Sequence, residues 1–75
     1  MDAKTHINAQ KLKGFMAFNG DVQADLAEAM GISVSRLNAK INEWNGAYFT
    51  VPEIEFIKSR YNMSTEDSEQ VFFAL

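Results

Sequence analysis

Residues 33–42 read SVSRLNAKIN, and their polar members are groups that make hydrogen bonds rather than break covalent ones. Asn38 and Asn42 carry amides that donate and accept, Ser33 and Ser35 hydroxyls that do both, and Arg36 and Lys40 cationic donors. At helical spacing Val34, Ser35, Asn38, Ala39 and Asn42 share the side away from Leu37 and Ile41, with Arg36 and Lys40 on the flanks. Such a face suits recognition of a partner's donors, acceptors and methyl groups. Covalent catalysis has little to draw on. The chain has one histidine, His6, and no cysteine, and its serines fall at expected helix starts, so a nucleophile would lack a base and an orienting group. The expectation is a protein that is not an enzyme, holds no cofactor and takes no small-molecule substrate. His6 has no second His or Cys to share a metal with, so it is read as a surface residue and no metal site is expected.

The elements that must position this face lie in residues 23–42, QADLAEAMGISVSRLNAKIN, which form two helix-length segments around Gly31. Leu26, Met30 and Ile32 supply the apolar side of the first segment and the turn, and Leu37 and Ile41 that of the second. Ala27, four residues before the glycine, falls where the two helices touch, and a larger side chain would wedge them apart. Gly31 suits the left-handed residue that ends one helix, and Ser33 can cap the next. This is the spacing of a helix-turn-helix.

The rest of the chain reads as support for that unit. Ile7, Leu12, Phe15 and Met16 share a helical face and predict a first helix from about residue 5 to residue 18, stopped by Asn19-Gly20. Asp21 is expected to cap the second helix, which ends at Met30. The third runs from Val34 to about Glu43, before Asn45-Gly46 breaks the chain. Thr50-Val51-Pro52-Glu53 is a capping box with proline in the first turn, starting a fourth helix that carries Ile54, Ile57 and Tyr61 inward. Ser64-Thr65-Glu66-Asp67 begins a short fifth helix with Val71, Phe72, Phe73 and Leu75 at its end. Trp44 and Tyr48 are expected to close the edge of the core. The expected fold is all-α: a compact five-helix bundle, one domain over residues 1–75, with the helix-turn-helix at helices 2 and 3.

Size and charge bound what such a domain can do. Its 75 residues, 47% hydrophobic with six Phe and one Trp, suffice for one small core and no second module. The absence of cysteine excludes disulfides and thiolate metal sites and fits a reducing cytoplasm. No apolar run approaches membrane-spanning length and no charged-then-apolar leader opens the chain, so a cytoplasmic location without membrane contact is expected. Seven Lys and Arg against ten Asp and Glu give a formal net charge of −3. The cations are nonetheless grouped: residues 33–42 carry Arg36 and Lys40 with no acid, and Lys4, Lys11 and Lys13 face only Asp2 in residues 1–20. Asp21, Asp25 and Glu28, in contrast, ride at the first helix of the motif.

The motif in residues 23–42, the five-helix pattern, and the Phe49-Thr50 and Val71-Phe72-Phe73 stretches together resemble the lambda-repressor-like family, in particular small phage-encoded members of the repressor and Cro type. The resemblance covers nearly the whole chain. It implies a sequence-specific transcriptional regulator of phage or prophage type, a repressor that occupies a double-stranded DNA operator with the second helix of the motif in the major groove and its early residues on base edges. Gln23, Ser33, Val34, Ser35, Arg36, Asn38, Ala39, Lys40 and Asn42 are then the candidate DNA-binding residues. Asn38 could pair with adenine, Ser35 with several edges, Val34 or Ala39 with a thymine methyl, and Arg36 with guanine or a phosphate. Gln23 would hold a phosphate beside its helix N-terminus. Two positions depart from the family's pattern: Lys40 stands where an apolar residue is common, and the loop after the third helix has no Lys or Arg. The alternative reading is a protein-protein interaction module, an antirepressor or assembly factor, that uses the same fold with an acidic surface. Phe72, Phe73 and Leu75 are candidate contacts of a weak homodimer.

Overall fold

The computed structural model describes residues 7–73. Helices α1 (Ala9–Phe18), α2 (Gln23–Met30), α3 (Val34–Asn42), α4 (Val51–Arg60) and α5 (Thr65–Phe72) follow one another, with a single 3-10 turn at Trp44–Gly46 and no strand among the described residues. The all-helical reading with five helices is therefore met. His6, Lys4, Asp2 and Leu75 lie outside the described residues.

Local chemistry accounts for most helix boundaries. Ser33 Oγ accepts from the Arg36 N–H at 3.1 Å, Thr50 Oγ1 from the Glu53 N–H at 3.4 Å, and Ser64 Oγ from the Asp67 N–H at 3.0 Å. Glu53 and Asp67 reach back to the backbone N–H of Thr50 and Ser64, completing two capping boxes. The first helix begins later than its apolar pattern predicts, because Asn8 caps it by accepting from Lys11 N–H. Asp21 does not cap α2. Val22 holds the cap position, and the Asp25 carboxylate accepts its N–H at 3.0 Å.

Three helices end in the same device. At Gly31 the Ile32 N–H reaches Ala27 O at 3.0 Å and the Gly31 N–H reaches Glu28 O at 3.1 Å, the paired bonds of a Schellman turn around a left-handed residue of φ 74°. The pattern recurs at Gly20, and at Asn62, which adopts φ 52° without being a glycine. Helix α3 stops one residue earlier than expected, with Glu43 already left-handed.

The core gathers Leu12 and Met16 of α1, Leu26 and Ala27 of α2, Leu37 and Ile41 of α3, Ile57 of α4 and Val71 and Phe72 of α5, with Phe49, Tyr61 and Met63 from the connections. Helix α2 packs on α3, and α5 packs on both α1 and α4. Ile54, expected inward, is only partly buried against this core. Asn8 N–H donates to Val71 O at 2.7 Å, tying the start of α1 to α5. Phe72 meets Phe49 edge to face at 5.6 Å, so it belongs to the core and is not available as a dimer contact. Trp44 and Tyr48 correct the expectation in the opposite sense. They are 54% and 67% exposed, because the left-handed residues Glu43, Asn45 and Gly46 turn the chain sharply after α3.

Candidate functional site

The α2–α3 unit is built from the residues upward. Leu26, Ala27, Leu37 and Ile41 are buried between its two helices and the rest of the core, while Met30 and Ile32 pack at its edge. Burial on one side of α3 leaves the other side to solvent. Ser33, Val34, Ser35, Arg36 and Asn42 are exposed, Asn38 and Ala39 half-buried, and Gln23 half-buried in the first turn of α2. Asn42 Nδ2 donates to Asn38 O and Asn38 Oδ1, both at 2.9 Å, so the two amides form one connected donor-acceptor group along the helix.

Lys40 is not part of this face. Only 9% of it is exposed, and its Nζ donates to Glu53 Oε1 at 2.9 Å and to Tyr48 O at 3.3 Å. The physical reason is its position, three residues after Leu37 and beside Ile41, on the stripe of α3 that faces the core. Its placement on an exposed flank is corrected accordingly. Partial burial pushes the Glu53 carboxyl up, but the Thr50 N–H and the Lys40 ammonium outweigh this and hold it below the ordinary Glu value.

A second network anchors the entry to α2 and was not legible in the sequence. Arg60 Nε and a guanidinium NH2 grip the two oxygens of Asp21 at 2.7 and 3.1 Å, and Tyr61 donates its hydroxyl to Asp21 Oδ2 at 2.7 Å. The partners are 39 and 40 residues apart. Bonds from Arg60 and then Tyr61 hold the Asp21 carboxyl below the usual range, while burial and the nearby Asp21 charge push the Tyr61 phenol up. Asp21 therefore presents far less free negative charge at the start of α2 than its sequence position suggests. Asp25 and Glu28 remain exposed on α2.

No family model, curated protein or solved structure matches this chain. Its functional reading therefore rests on geometry and side-chain chemistry. Among the described residues no helix is long and apolar enough to cross a membrane, and no group of three or more His, Cys, Asp or Glu could hold a metal ion.

Proposed function

We propose that the chain is a sequence-specific DNA-binding regulator of phage repressor or Cro type, with α3 lying in the major groove of an operator. The observation that carries this reading is the α2–α3 unit itself. A Schellman turn at Gly31 and a serine cap at Ser33 join two helices over a shared core, leaving Ser35, Arg36 and Asn42 in solvent with Asn38 between them. Binding, not bond-making, is the activity: the polar groups on this face are donors and acceptors for base edges, and Arg36 adds one charge for guanine or a phosphate. Selection of bound duplexes from a random pool at low salt tests it. Enrichment of a common sequence, lost on Arg36→Ala, is expected; no enrichment over an unrelated acidic protein would refute the reading.

One observation favours a second reading, a protein-interaction module. With Lys40 taken up by Glu53, Arg36 is the exposed cation of α3 while Asp25 and Glu28 are exposed on α2, and Phe18, Val22, Trp44 and Tyr48 all stand in solvent. A pool that yields no duplex while a protein partner protects α3 from hydrogen exchange would favour that alternative. A weak homodimer belongs to the DNA reading, with Phe73, 47% exposed, as its remaining described candidate contact.

A further inference from the structure

Lys40 is a charge held where charge is costly, and its surroundings show what it holds together. A lysine this buried is rare unless paired. Here the partner set spans three parts of the chain. The ammonium comes from α3, one acceptor is the Tyr48 carbonyl in the irregular residues 47–50, and the other is Glu53 in the first turn of α4. Glu53 Oε1 also accepts the Thr50 N–H at 2.9 Å, so one carboxylate oxygen joins the lysine to the backbone that opens α4. The Ala47 N–H in turn donates to Trp44 O at 2.9 Å, closing the turn that precedes the segment. Residues 47–50 are thus held at both ends and in the middle. Ala47, Tyr48 and Thr50 line a shallow cavity of about 310 Å³ whose other wall is Arg36, Ala39 and Lys40, on the flank of the exposed α3 face.

We propose that Lys40 is a positioning residue and not a phosphate contact: with Glu53 it clasps residues 47–50 against the Arg36 flank of α3, setting the surface that a partner meets there. No other described element offers Tyr48 O a charged donor in this arrangement, and removing either partner strands the other ion in a poorly hydrated place. The clasp itself is independent of what α3 binds. Its consequence for DNA affinity rests on the DNA reading.

Two measurements test the clasp. Amide hydrogen exchange is followed in the wild type and in Lys40→Met, which keeps the buried stem without the charge. Ala47 and Thr50 should exchange about tenfold faster in the variant, measured relative to Leu37 and Ile41. Glu53→Gln, which retains an acceptor oxygen, should shift them in the same direction and by less, and stands in if Lys40→Met fails to fold. The selected duplex is then titrated across a series of salt concentrations. A positioning role lowers affinity in Lys40→Met with the slope of log affinity against log salt unchanged, whereas Arg36→Ala reduces that slope by about one if Arg36 meets a phosphate. Exchange at Ala47 and Thr50 that rises no more than at Leu37 overturns the clasp, as does a slope reduced by about one in Lys40→Met. If the wild type binds no duplex, the DNA reading fails and exchange alone decides the clasp.

Discussion

Lys40–Glu53 and Arg60–Asp21 have opposite relations to the exposed face of α3. Lys40–Glu53 withdraws a cation from it, while Arg60–Asp21 cancels an anion at the entry to α2. Because the folded Asp21 carboxyl titrates below its unfolded value, its contribution to stability is present at neutral pH and lost as the pH falls through the carboxylate range, below about 5. Denaturant midpoints measured at pH 7 and pH 3 should converge: Asp21→Asn is less stable than wild type at pH 7 and loses less on acidification. Parallel losses in the two proteins would show that the Arg60 and Tyr61 bonds do not hold in solution. Glu53 shifts the same way, so some acid sensitivity remains in the variant. On the exposed face, a side chain that reads a base edge is worth about 1–3 kcal/mol of discrimination. Asn38→Ala should therefore relax preference at one position of the selected sequence, while a surface substitution at Lys13 should not. Selection repeated with each variant checks this.

At the scale of elements, the contact between α2 and α3 sets a demand on side-chain size. Ala27 is 1% exposed, so Ala27→Leu should overpack the helix pair and cost about 1–3 kcal/mol, read as a lower melting temperature. An unchanged melting temperature would mean that the helices do not approach closely there. Gly31 makes a different demand. A Cβ at this position would meet no atom within 4 Å, so the cost of substitution comes from the left-handed backbone and not from a clash. Gly31→Val should cost about 1–3 kcal/mol, and Gly31→Asn clearly less, because asparagine tolerates φ near +60°. Asn62 already plays that part at the end of α4. Losing the Ser33 cap in Ser33→Ala should cost about 1 kcal/mol.

Across the whole molecule, acidic net charge and exposed apolar residues compete. A formal charge of −3 disfavours self-association at low salt, whereas Phe73 offers an apolar contact at the end of α5. A dimer made through Phe73 should therefore strengthen with salt in sedimentation and disappear in Phe73→Glu. Dimerisation that survives the substitution would move the interface elsewhere, with Phe18, 90% exposed, as the next residue to test.

The chain's helices were determined locally, and so they were legible. Ser33, Thr50-Val51-Pro52-Glu53, Ser64 and Gly31 act through hydrogen bonds and φ angles within five residues of one another, and the structure uses them in those roles. The apolar set at Leu12, Met16, Leu26, Ala27, Leu37, Ile41 and Ile57 follows from helical spacing for the same reason. What escaped depended on distance in sequence or on the exact path of a turn. Asp21 reads as a cap until Arg60 and Tyr61 arrive beside it from 39 and 40 residues away. Lys40 reads as a solvated flank until Glu53 and the Tyr48 carbonyl close over it, although its place on the Leu37–Ile41 stripe was a signal in plain view. Trp44 and Tyr48 have core composition, yet three left-handed residues turn them to solvent. Local bonds determine where helices begin and end; only packing decides which charges are cancelled and which aromatics are covered.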